Sequence, residues 1–162
     1  MTPITHALLP AVLSSPLLPR SRPRDYYVAA GIVALSGLLP DILTPHISLA
    51  ARFASWSHSI FAYAGFTVLV LVLALFAPRR FPWRLALLAS SAYLSHLFLD
   101  GIAGGVPGLY PLSHTVFGMR LIRFHSWLYF DVAFLLLGCL VFWWLPAWKW
   151  GTRRRNTEIG ES

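Results

Sequence analysis

Val68-Leu69-Val70-Leu71-Val72-Leu73-Ala74-Leu75-Phe76 is a run of residues without one polar side-chain atom. A surface helix of a soluble protein keeps a polar face, and this run has none. It is the latter part of an apolar segment reaching from about Trp56 to Ala77, and a bilayer-crossing helix needs ~20 such residues. The segment therefore predicts a helix solvated by lipid. Downstream, the basic turn Pro78-Arg79-Arg80-Phe81-Pro82 leads into a second apolar helix, about Trp83 to Ile102, closed by Gly101, Gly104, Gly105 and Pro107. Upstream lies a third, Tyr26 to Leu43, rich in small residues (Ala29, Ala30, Gly31, Ala34, Ser36, Gly37) that let helix backbones approach closely in lipid. Pro40 and Pro45 kink or stop it. The last, about His125 to Trp148, ends in an aromatic belt of Phe142, Trp143, Trp144, Trp148 and Trp150.

At the N-terminus, Thr5 to Leu18 is apolar but interrupted by Pro10 and Pro16. Its helical length of roughly 20 Å is short of a ~30 Å hydrocarbon core, so it reads as a re-entrant or half-spanning helix, with an interfacial helix as the alternative. The expected fold is an all-α polytopic membrane helix bundle: four full transmembrane helices plus the short first one. Residues 1–150 form the single transmembrane domain, and 151–162 are a polar, disordered tail.

Composition agrees. Of the 162 residues, 57% are apolar and 12% charged, against about 45–50% and 25% in soluble domains, and mean hydropathy is +0.63. No cleaved signal peptide is expected, because the start lacks a positive n-region and a small-residue cleavage site. The lone Cys139 excludes an intramolecular disulfide and a thiolate metal cluster within one chain. The net charge of +7 does not point to nucleic acid, for its basic residues cluster between apolar blocks. On one side fall Arg20, Arg22, Arg24, Arg79, Arg80, Arg84, Lys149, Arg153, Arg154 and Arg155; on the other only Arg52, Arg120 and Arg123. The positive-inside rule assigns the first side, with the C-terminus, to the cytoplasm.

Ionisable groups inside membrane helices are costly and mark function. This topology brings His6, Asp41, His58, His96 and Asp100 to similar depth near the outer face. His96 and Asp100, four apart, share a helix face and can reach one metal ion. Imidazole and carboxylate suit zinc, with manganese or iron as alternatives. The competing reading is that these groups cap or bond helices. His46, His114 and His125 read as interfacial residues. Asp131 reads as a partner of Arg120 or Arg123, or as an outer part of the site.

The segments Thr5-His6, Gly37-Leu38-Leu39-Pro40-Asp41, Ser57-His58-Ser59, Ser95-His96-Leu97-Phe98-Leu99-Asp100 and Tyr110-Pro111-Leu112 resemble, in this order, the motifs of the YdjM-like inner-membrane family of metal-dependent hydrolases. The resemblance implies an inner-membrane, multi-pass hydrolase whose metal is held at His6, Asp41, His58, His96 and Asp100. The chain departs from that pattern at Leu43, where a second Asp is common, and at Phe53, where a His is common. These departures favour one metal over two.

The expected function is therefore metal-dependent hydrolysis of a lipid or lipid-linked phosphoester near the outer membrane face. His58, His96 and Asp100 hold the ion, and Asp41 or His6 completes the set or serves as the catalytic base. Arg120 and Arg123 recognise phosphate. A small ion or metal transporter and a non-catalytic membrane-complex subunit are the alternatives. Membrane lipid is the expected partner.

Overall fold

The computed structural model describes residues 3–19, 22–44, 55–119, 121 and 126–144. It is all-α: α1 is Pro3–Ser14, α2 Pro23–Leu43, α3 Ile60–Phe76, α4 Trp83–Ala103 and α5 Trp127–Cys139, the last continuing as a π-helical turn to Trp144. Among the described residues the only β feature is one antiparallel bridge between Val106 and Phe117. Three helices, Pro23–Leu43, Trp83–Ala103 and Trp127–Trp144, are long and apolar enough to cross a membrane. The run from Val68 to Phe76 belongs to a shorter apolar helix of 17 residues. It starts at Ile60 rather than Trp56, because Trp56–His58 forms a 3-10 turn and Ser59 caps the helix by accepting from the Ala62 N–H at 3.2 Å.

The core follows helical periodicity. On α2 the buried stripe is Tyr26, Ala29, Ala30, Val33, Ser36, Gly37 and Pro40. On α4, Ala86, Ala89, Tyr93, His96, Asp100 and Ala103 lie on one buried face. Alanines fill most of the helix–helix contact, which keeps backbones close. The opposite faces expose Leu, Val and Phe, as at Val68, Leu75 and Phe76, and in a bilayer such faces meet acyl chains.

The first helix is short and continues as a 3-10 turn, Ser15–Leu17. It runs antiparallel to α2: His6 lies against Gly37, while Leu18 packs in one cluster with Tyr26 and Ala29. Its start therefore lies at the end of the bundle that holds Asp41 and Asp100, and its finish near the end that holds Arg79, Arg80 and Arg84. A β-carbon on Gly37 would fall 2.3 Å from the His6 carbonyl oxygen and 2.9 Å from Pro10 Cγ. Gly37→Ala is expected to lose about 1–3 kcal/mol by overpacking and to displace His6. A lowered thermal unfolding midpoint in detergent checks this, and an unchanged midpoint would show that α1 does not need the close approach.

The 104–119 segment folds back over the end of α4. Met119 N–H donates to the Gly101 carbonyl (2.8 Å) and Leu121 N–H to that of Ile102 (2.9 Å). Gly105 has φ +141°, a conformation that favours glycine. The polar tail 151–162, together with Lys149 and Arg153 to Arg155, lies outside the described residues.

Candidate metal centre

Four elements deliver the site. Asp41 stands in the last turn of α2, His58 in the 3-10 turn before α3, and His96 and Asp100 on the buried face of α4. His6 enters from α1. The i, i+4 spacing of His96 and Asp100 brings His96 Nε2 to 3.2 Å from Asp100 Oδ2. Asp100 Oδ2 is also 3.5 Å from His58 Nε2. Asp41 Oδ1 lies 3.3 Å from His58 Nε2 and 3.6 Å from His96 Nε2. The two Nε2 atoms are 3.2 Å apart. One ligand atom from each of Asp41, His58, His96 and Asp100 thus falls within 4.8 Å of every other.

The proton on His96 is fixed by its outer neighbour, whereas the neighbours of His58 are hydroxyls that serve either tautomer. His96 Nδ1 is 2.7 Å from the Gly37 carbonyl oxygen. A carbonyl only accepts, so Nδ1 carries the hydrogen and Nε2 presents a lone pair inward. His58 Nδ1 lies 3.2 Å from Ser57 Oγ and 3.1 Å from Ser55 Oγ. Ser57 Oγ donates its hydrogen to the Pro40 carbonyl at 2.7 Å, so toward His58 Nδ1 it can only accept, whereas Ser55 Oγ can also donate to that nitrogen. With Nδ1 protonated, His58 Nε2 points a lone pair inward; with Nε2 protonated, it donates to Asp41 Oδ1 at 3.3 Å. Thr44 completes this hydroxyl cluster through contacts with Ser55 and Ser57.

With both Nε2 atoms unprotonated, the centre is a convergence of ligand atoms: two imidazole lone pairs and two carboxylate oxygens. His58, His96 and Asp100 are 0% exposed. Such a set repels itself in a dry interior unless a cation sits among it. The spacing fits one. Four ligands at the ~2.0–2.1 Å of zinc–nitrogen and zinc–oxygen bonds, arranged tetrahedrally, lie roughly 3.3 Å apart. Five of the six separations scatter about that value, and the sixth, between Asp41 and Asp100, is within 4.8 Å.

Asp41 differs from the other three. Its side chain is 25% exposed, whereas those of His58, His96 and Asp100 are wholly buried. His6 stands outside the ring: its Nε2 is 2.9 Å from Asp100 Oδ1, the oxygen turned away from His58 and His96. Its ring stacks on that of His96 at 3.9 Å. Asp100 thus serves the four-atom cluster with one oxygen and His6 with the other. Thr5 anchors α1 beside this point by donating to Asp131 Oδ1 at 2.7 Å, so Asp131 ties α5 to the helix that carries His6.

The five residues expected at the metal site come together, His6 at one remove. Arg120 and Arg123, expected to bind phosphate, lie outside the described residues, as do His46 and His125. His114 packs edge-on against Tyr110, 5.3 Å between ring centroids, away from the cluster. Sequence reading passed over the supporting groups: Ser57 and Ser55 on His58, the Gly37 and Pro40 carbonyls, and Tyr93. The serines flanking His58 were the one signal available for them.

Tyr93, 1% exposed, donates its hydroxyl to the Ser57 carbonyl at 2.6 Å and so pins the turn that carries His58. Tyr93→Phe is expected to cost about 1–3 kcal/mol, since a buried carbonyl loses its donor, and to weaken metal retention. Metal competition against a chelator in detergent reads this out, and wild-type retention would remove Tyr93 from the support of the centre.

A bundle of apolar helices with a buried His/Asp cluster at one end defines a polytopic membrane protein with a candidate metal centre. The chain belongs to the YdjM inner membrane protein family, whose model matches residues 1–159. No curated protein and no solved structure matches it.

Proposed function

We propose that this protein is a membrane-embedded, single-metal hydrolase acting on a lipid or lipid-linked phosphoester. The observation that carries the reading is the convergence of four potential ligand atoms from Asp41, His58, His96 and Asp100 within 4.8 Å, three of the residues wholly buried and Asp41 partly exposed. A structural zinc site is closed by its four ligands, whereas a catalytic one keeps a position open.

In this reading His58, His96 and Asp100 hold a divalent ion, zinc in the first instance. An ion held there would supply Lewis acidity, polarising a phosphoryl oxygen and making water more acidic. Asp41, at the partly exposed side, orients the attacking water and takes its proton. The water oxygen bonds to phosphorus and the phosphorus–ester oxygen bond breaks. His6, held against Asp100 Oδ1, keeps a proton beside the cluster for the departing alkoxide. The buried Asp100 carboxylate fixes both His6 and the ion, so the two functions share one support.

Four crossings are inferred, with α3 completing the set. The basic end then faces the cytoplasm by the positive-inside rule, and the centre lies toward the outer face, near lipid headgroups. That location favours a substrate presented by the membrane. Arg120 and Arg123, in the segment leading to α5, are proposed to meet its phosphate.

Zinc-loaded protein in mixed micelles, offered phosphomonoester and phosphodiester lipids, is expected to release inorganic phosphate or a phosphorylated headgroup. Metal-loaded protein that turns over neither class would overturn the hydrolase reading and leave a metal-binding membrane protein.

A further inference from the structure

We propose that the basic end of the bundle carries a second site, a groove that binds a single anionic phospholipid. The inference is independent of the hydrolase reading, because the groove lies at the far end of α4. Arg84 and His96 are twelve residues apart on that helix, roughly 18 Å along its axis.

The groove has a volume of about 590 Å³, within the ~300–1,000 Å³ typical of ligand pockets. Its lining is divided by chemistry. Arg79, Arg80 and Arg84 form one part, and all three are exposed. Val28 and Ile32 of α2 and Leu85 and Leu88 of α4 form an apolar part. The end of the first helical segment, Leu17 to Pro19, closes a wall. One carboxylate, Asp25, also lines it, and the three arginines leave the lining net positive.

This combination selects the occupant. Guanidinium groups bind phosphate through paired hydrogen bonds, and the groove borders the N-terminal end of α4, whose helix dipole favours an anion. A free phosphate would leave the apolar part unused, and a zwitterionic lipid would leave the positive charge unmatched. A phosphate headgroup with a net negative charge and attached acyl chains uses both. Basic pockets between transmembrane helices hold anionic headgroups in this manner. The arginines that orient the chain by their number would then, by their position, also hold a lipid.

Native mass spectrometry of the full-length protein in detergent tests this with phosphatidylglycerol and phosphatidylcholine as probes. Wild type is expected to retain phosphatidylglycerol in preference to phosphatidylcholine, with inorganic phosphate failing to displace it. Arg79→Gln/Arg80→Gln/Arg84→Gln should weaken retention by roughly a hundredfold, from ~1 kcal/mol per arginine. Arg22→Gln/Arg24→Gln, on the same side but not in the groove lining, should leave retention within a few-fold of wild type. Leu88→Trp fills the apolar part without changing charge and is expected to block binding, which keeps the test decisive if the triple variant fails to fold. Equal retention of the two lipids, displacement by phosphate, an equal loss in the Arg22/Arg24 variant, or undiminished binding by Leu88→Trp would each overturn the proposal.

Discussion

Detergent-purified wild-type protein is expected to hold about one divalent ion per chain, and His96→Ala to hold none above background. Elemental analysis of the two, side by side after reconstitution, is the measurement. The size of the effect follows from the geometry. His96 Nε2 lies 3.2 Å from both His58 Nε2 and Asp100 Oδ2, and its lone pair is fixed inward by the Gly37 carbonyl. Removing it takes away one of three fully buried donors and leaves His58 and Asp100 unable to close round an ion. Ligand loss from a structured site also removes the folding free energy that the ion supplies. The wild-type unfolding midpoint should therefore fall on chelation, and that of His96→Ala should not respond. A metal-free wild type after reconstitution would sink the metal centre. A His96→Ala variant with full occupancy would move the centre away from α4.

Asp41→Asn is expected to behave differently, retaining the ion while turnover of the lipid phosphoester falls by ~10²–10⁴, the range ascribed to a positioned proton acceptor. The basis is its exposure. His58, His96 and Asp100 are wholly buried, and Asp41 is the donor in contact with the outside. Asparagine keeps the shape and one oxygen but cannot take a proton. Metal content and turnover must be measured on the same preparation. Loss of the ion together with activity would mark Asp41 as an indispensable ligand and the site as a closed, structural one. Retention of both would remove Asp41 from the chemistry.

Much of this was legible before any coordinates. The lipid-solvated helices followed from runs such as Val68 to Phe76, because a helix apolar on every side belongs either in the core of a large protein or in a membrane, and 162 residues with several such helices do not make a large core. Placement of the five ionisable groups at one end followed from topology, since alternating helices return to the same side of a membrane at predictable residues. The pairing of His96 with Asp100 followed from helical geometry alone. The start of α3 was not legible: Trp56 and Ile60 are both apolar, and the 3-10 turn between them is held by Tyr93, far along the chain.

Composition, hydrophobic runs and helical spacing by themselves determined that this is an α-helical membrane protein with His and Asp gathered near one end. These are properties of segments, and segments respond to the solvent and to their own period. Only the tertiary structure decided how the groups divide their work. Which imidazole nitrogen faces inward depends on a carbonyl at Gly37 and a hydroxyl at Ser57, each set by the approach of helices distant in sequence. That Asp100 offers one oxygen to the cluster and the other to His6, and that Asp41 alone stays partly exposed, are relations between four chain elements. No single stretch of residues contains them, because they arise only when backbones pack to within contact distance.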